Sequence, residues 1–174
     1  VGAAEFVALA LVATGPRPGR ARLVRITALH VANEAVVERF DATLDPHLRV
    51  PRYVAARAGL DAPVLDGQPG LADVLDDLLR FLGDSPILAQ DAQLTWAFVQ
   101  AEARRHERAL VQPLLIDIND LASSCLQLKA KPTLAVIAAQ LGISTGHITR
   151  VDEEARVLAL AGSRILQLGN VPTA

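Results

Sequence analysis

Residues 144–156 read Ser-Thr-Gly-His147-Ile-Thr-Arg-Val-Asp152-Glu-Glu-Ala-Arg, a histidine followed five residues later by an aspartate that opens a helix. A neutral imidazole can accept a proton, and the carboxylates of Asp152, Glu153 and Glu154 can hold a single cation weakly. The same triplet suits the first turn of a helix, where negative charge complements the macrodipole. No nucleophile or second base stands near His147 in the sequence, so a solvated loop histidine is the plainer reading. Two basic clusters, Arg17, Arg20, Arg22 and Arg25 near the start and Arg104, Arg105, His106 and Arg108 further on, are the local surfaces that phosphate would favour. Solvated faces are the simpler expectation for both. Trp96, the only tryptophan, is a candidate for stacking on a nucleotide base, weighed against plain packing.

The elements that must position these residues follow from periodicity. Residues 6–13 are continuously apolar and stop at Thr-Gly-Pro-Arg-Pro-Gly, which predicts a strand buried on both faces. A second strand over 22–31 is expected to place Val24, Ile26 and Ala28 on one face. After a tight Ala-Asn-Glu connection comes a third, where Val36, Phe40, Ala42 and Leu44 alternate with Val37, Arg39, Asp41 and Thr43. Short connections make these an antiparallel meander. Beyond Asp45-Pro46 the period turns helical: a short helix over 51–58 stopped by Gly59, then one over 71–82 with Leu71, Val74, Leu75, Leu78, Leu79 and Leu82 inward. A strand over 86–90 precedes a helix over 92–106 expected to bury Leu94, Ala97, Phe98 and Ala101. A last strand is expected over 113–118, and helices over 119–128 and 133–141. The final helix, over 152–168, turns Ala155, Leu158, Ala159, Gly162, Ile165 and Leu166 inward. This order predicts a single α/β domain over 1–168, with one mixed five-stranded sheet (a three-strand meander plus two parallel strands) flanked by helices.

At 174 residues, with 51% hydrophobic residues and a net charge of −2, the chain is an ordinary globular domain with no global electrostatic pull on nucleic acid. Its single cysteine, Cys125, excludes an internal disulfide and a cysteine zinc site and fits a reducing cytosol. Set among Leu121, Ala122 and Leu126, it is expected to be buried and inert. The apolar run over 6–13 is too short to span a bilayer and carries no basic leader, so a cytoplasmic protein without membrane contact is expected. The chain begins on valine and has no methionine, which suggests a piece of a longer protein. Residues 169–174 read as a tail or the start of a linker.

Several landmarks share the order and spacing of a known family. They are Thr14-Gly15 after the first strand, Asp45-Pro46 after the third, and Ala58-Gly59-Leu60-Asp61. Further on come Phe81-Leu82-Gly83-Asp84, Asp117 ending the fifth strand, and the His147-to-Asp152 segment. Over nearly the whole chain this resembles the DnaQ-like (DEDDh) 3′–5′ exonuclease domain, as found in polymerase proofreading subunits or in front of DinG-type helicases. The resemblance implies a ribonuclease-H-like fold and hydrolysis by two divalent metals held on carboxylates from three motifs. Position by position, those carboxylates are mostly gone. The first motif's Asp and Glu correspond to Ala10 and Val12, and the second motif's Asp corresponds to Thr95. In the third motif, His147 matches the general base and Asp152 the last metal ligand.

One carboxylate of four cannot offset two divalent cations held close together, so a catalytically inactive exonuclease-like module is expected, with no cofactor and its old site partly filled as core. Asp152 would be its sole, weak metal ligand. Thr14, Gly15, Trp96 and His147 are the candidate contacts for single-stranded nucleic acid, and linked helicase or polymerase domains are the expected partners. Two alternatives remain: a residual exonuclease using Mg²⁺ or Mn²⁺ with Asp91 or Asp117 as substitute ligands, and a pure protein-interaction scaffold.

Overall fold

The computed structural model describes residues 4–63, 65–128 and 130–169. Its centre is β1 (Phe6–Ala13), flanked by β2 (Leu23–Ala32) on one side and β4 (Ile87–Ala89) on the other. With β3 (Ala35–Thr43) and β5 (Leu115–Asp117) outside them, the sheet order is β3-β2-β1-β4-β5. The β1–β2 and β2–β3 pairs are antiparallel, and β1–β4 and β4–β5 are parallel. This is the mixed sheet predicted from the sequence, and it is ribonuclease-H-like. The β2–β3 connection turns on Asn33 and Glu34, both at positive φ, which matches the right-handed twist of a two-residue hairpin.

Helices cover both faces. α1 (Arg52–Arg57), α4 (Ile118–Cys125), α5 (Leu134–Gln140) and α6 (Val151–Gly169) lie on one side, and α2 (Leu71–Leu82) and α3 (Ala92–Arg105) on the other. Because β1 is central, its alternate residues feed two cores. Phe6, Ala8, Ala10 and Val12 pack with α6, whereas Val7 and Leu9 pack with Leu75, Leu78 and Val99 of α2 and α3. α6 approaches so closely that a Cβ on Gly162 would strike Leu88 and, at 2.8 Å, the Phe6 ring.

Several expectations are corrected. Val24 does not share a face with Ile26 and Ala28: the β1–β2 register slips between Val12 and Ala13, and the irregularity turns Val24 to the α6 side. β3 is an edge strand, so Val36 and Val37 are both about half exposed. α3 turns Trp96, Val99 and Ala103 inward rather than Leu94, which is 41% exposed. Cys125 is exposed, because α4 buries Ile118, Asn119 and Ala122 and ends on the cysteine. α6 begins one residue early, at Val151, and includes Gly169, so the expected tail does not start there. Residues 170–174 lie outside the described residues. Among the described residues, no helix is long and apolar enough to cross a membrane.

Candidate functional site

The carboxyl ends of β1 and β4 open into a cleft of about 560 Å³, the crevice where open α/β sheets usually receive ligands. β1 and the turn after it contribute Leu11, Ala13, Gly15 and Pro16. α1 contributes Tyr53, Val54 and Arg57. The β4–α3 junction supplies Gln90, Asp91, Leu94, Thr95 and Phe98, and α6 supplies Glu154. Arg57, Gln90 and Glu154 also line an adjoining hollow of about 270 Å³ that reaches Thr133 and Thr149.

The positions singled out in the sequence divide sharply around this cleft. Ala10 and Val12 are each 1% exposed and belong to the core beneath α6. Thr95 does line the cleft, and its hydroxyl donates to the Gln90 carbonyl at 3.1 Å. Gly15 sits on the rim, whereas Thr14 closes the β1–β2 hairpin, its Oγ1 accepting from the Arg22 amide at 3.0 Å. Trp96 is 4% exposed and its Nε1–H donates to Gln112, so it offers no free face to a base. His147 is exposed on its loop and does not line the cleft.

Asp152 and Glu154 sit two residues apart on α6 in contrasting surroundings. Asp152 accepts from Nε and Nη2 of Arg150, both at 3.2 Å. Beside it Arg25 donates to Asp41 at 3.0 and 2.9 Å and to the Ala58 carbonyl at 2.7 Å. The hydrogen bond to Asp41 holds the Arg25 guanidinium above its usual pKa, and the charge of Asp152 adds to this. Gly59, at φ +74°, leaves the room these guanidiniums occupy: a Cβ there would lie 2.9 Å from both Arg25 and Arg150. Glu154 instead points into the cleft with its side chain 14% exposed, and its charge partner is Arg57 at 3.8 Å. Burial pushes the Glu154 carboxyl up to about 7, against the opposing pull of Arg57.

Glu153 ties the loop of the third motif to α6. It accepts from the Gly146 amide at 2.7 Å and pairs with Arg156, whose Nη2 also reaches the Ser144 carbonyl at 2.6 Å. The Arg156 and Gly146 hydrogen bonds hold the Glu153 carboxyl down at about 2. The segment is therefore a buckle fastening the 144–147 loop to α6.

The residues present do not fit a paired-metal centre. Ala10 and Val12 have no donor atoms, Thr95 is tied to the backbone, and Asp152 is held by an arginine. Of the substitute ligands, Asp117 caps α4 by accepting from Asn119 at 2.9 Å and also accepts from the Ala92 amide at 3.1 Å. Asp91, in the left-handed region at φ +51°, sits at the start of α3 without capping it through its side chain. Among the described residues, no group of three or more His, Cys, Asp or Glu is placed to hold a metal ion.

Tyr53, Arg57 and Glu154 carry the cleft's aromatic and ionic character, and the sequence reading gave the first two no role. Their signal was an i,i+4 tyrosine–arginine pair on a short helix bounded by Pro51 and Gly59. Arg17, Arg20 and Arg104 were read as two distant clusters. The structure brings these segments together, because Arg105 donates to the Gly19 carbonyl at 3.2 Å and Arg22 pairs with the buried Glu102 at 3.2 Å.

The chain matches no protein-family model. It is 24% identical over 155 residues to DNA polymerase III PolC-type of Clostridium perfringens, covering 89% of this chain and 11% of that protein. It is 24% identical over 163 residues to DNA polymerase III subunit epsilon of Aquifex aeolicus, covering 93% and 80%. The chain thus spans only about a tenth of the PolC-type relative. In structure it resembles the nuclease domain of 3′hExo, a DEDDh family member solved with bound rAMP, at a TM-score of 0.75, 15% identity and 95% and 92% coverage. The resemblance carried by the motifs holds in sequence and in fold: the chain is similar to DNA polymerase III proteins in sequence and shares the fold of DEDDh exonuclease domains.

Proposed function

We propose that residues 1–168 form one non-catalytic exonuclease-like domain of a larger DNA-replication or repair protein, retaining the cleft as a binding site for single-stranded nucleic acid. The observation that carries this reading is the burial of Ala10 and Val12 beneath α6. Two positions that would have to present carboxylates to metal ions are closed core, and a lone arginine-bound Asp152 does not replace them. Binding is supported by the cleft beyond the strand ends and by the exposed Arg17, Arg20 and Arg104 on two segments that meet on the surface. The rAMP carried by the 3′hExo nuclease domain and the polymerase relatives agree in ligand class.

The test is a 5′-labelled oligothymidylate incubated with the protein in Mn²⁺, then titrated by fluorescence anisotropy across a salt series. The label should stay full length, and binding should weaken steeply with salt because phosphate contacts release counterions. Shortening of the label that His147→Ala and Asp152→Ala both abolish would overturn the non-catalytic reading. Absence of binding at low salt would overturn the nucleic-acid reading.

A further inference from the structure

We infer that the outer face of α1 is a metal-independent nucleotide grip, with Tyr53 stacking on a base and Arg57 taking the phosphate charge. This inference rests on the nucleic-acid reading above and names the residues that would perform it.

Four observations converge. Tyr53 and Arg57 are i,i+4 on one helix, hence neighbours about 6 Å apart on the same face, and both line the cleft. Their separation suits the base and phosphate of one nucleotide. Tyr53 is 65% exposed, while the other aromatic ring in the lining, Phe98, is buried. A large ring left in water at a cleft mouth costs little in the free protein and gains a π-face contact on binding. Among the described residues Arg57 is the only cation in the lining, at the junction of the two hollows.

Arg57 is also weakly committed. Among the described residues, its charge partner is Glu154, and 3.8 Å is too long for a hydrogen bond. The other charged group in the lining, Asp91, is a rim residue. Elsewhere on α6, Glu153 is engaged by Arg156 and Asp152 by Arg150, so neither competes for Arg57. The walls from β1 and α3 are apolar or neutral there. A guanidinium in that position matches a phosphate bidentately and supplies the positive charge that carboxylate-held metals would otherwise bring.

The experiment is anisotropy of labelled oligothymidylate in EDTA, against the wild type and single variants. EDTA should not weaken wild-type binding. Arg57→Gln should weaken it about 10-fold and flatten the salt slope by about one unit. Arg57→Lys should stay much closer to wild type. Tyr53→Leu should lose about 10-fold, with Tyr53→Phe retaining the affinity. Both α1 side chains are exposed, so thermal melts of the variants should match the wild type. Wild-type binding with Arg57→Gln unaffected, or binding that requires Mg²⁺, overturns this inference and leaves the reading of the cleft standing. A wild type that does not bind overturns both.

Discussion

The two faces of β1 have had opposite fates. Toward α6, Phe6, Ala8, Ala10 and Val12 are sealed, and α6 lies so close that Gly162 has no room for a methyl group. Toward the strand end, Leu11 and Ala13 are only half-buried and form the floor of an open cleft. The strand is apolar throughout, so composition does not explain the difference. What differs is what lies opposite. On the sealed face, small β1 side chains meet a helix that approaches through a glycine, and the space closes. At the open strand end, α1 and α6 from one side of the sheet and α3 from the other leave a gap, edged by Tyr53, Arg57 and Glu154. The positions where the resemblance demands carboxylates fall on the sealed face. Unpaired carboxylates at those positions would be costly to bury.

The strongest way to break that comparison is to restore the carboxylates. The double substitution Ala10→Asp with Val12→Glu places two unpaired acids in the α6 core. It should destabilise the chain by roughly 4 kcal/mol or more, enough to unfold a marginal domain. Chemical denaturation by circular dichroism measures it directly. If the double variant stays folded and is further stabilised by Mn²⁺, the face is not sealed and the comparison collapses.

A smaller effect belongs to Glu154 on the open face. Its carboxyl stands at about 7 against an ordinary 4.5, raised by burial. Between those values the folded chain holds a proton that the unfolded chain has released, so stability falls as pH rises from about 4.5 to about 7. At about 1.4 kcal/mol per pH unit, the loss approaches ~3 kcal/mol as an upper bound. Glu154→Gln should abolish that part of the pH dependence, leaving the variant more stable than wild type at pH 8 and little changed at pH 4.5. Parallel denaturation curves at the two pH values decide it. Equal pH slopes for variant and wild type would mean that Glu154 is solvated.

How much of this was legible in the sequence follows the same division. Periodicity and turn signals located the eleven elements of the described residues, and the 3.6-residue pattern of α2 is borne out by buried Leu71, Leu75, Leu78 and Leu82. The replacement of carboxylates by Ala10 and Val12 was visible as letters, and a wholly apolar β1 already implied burial. Tertiary geometry was not visible. The register slip at Val12 and Ala13 moves Val24 across the sheet, and no local pattern announces it. Leu94 has the right spacing to be core but faces the gap, because α3 presents Trp96 and Val99 to the sheet instead. Cys125 fits an apolar stretch and still ends a helix in solvent. In the acidic triplet all three residues looked alike; partners from residues distant in sequence or on a neighbouring loop, Arg57 for Glu154 and Gly146 for Glu153, give them different roles.

A finer version of the comparison uses substitutions of modest size on each face. Gly162→Ala adds one methyl where an ideal Cβ would already strike the side chains of Leu88 and Phe6. Either α6 must lift from the sheet or those side chains must leave their rotamers, and overpacking of this kind costs about 1–3 kcal/mol. The gain in helix propensity from glycine to alanine, about 1 kcal/mol, partly offsets it, so the net loss should fall in the lower half of that range. Leu94→Ala removes three carbons from a side chain that is 41% exposed on the cleft wall. A buried leucine would lose about 2–5 kcal/mol, but here most of the surface is already in water and no enclosed cavity forms, so about 0.5 kcal/mol is expected. Urea denaturation of both variants should therefore rank the small addition on the sealed face above the larger deletion on the open one. The reverse order would mean that α6 has slack over β1 and β4, and with it room beneath that helix for larger groups at positions 10 and 12.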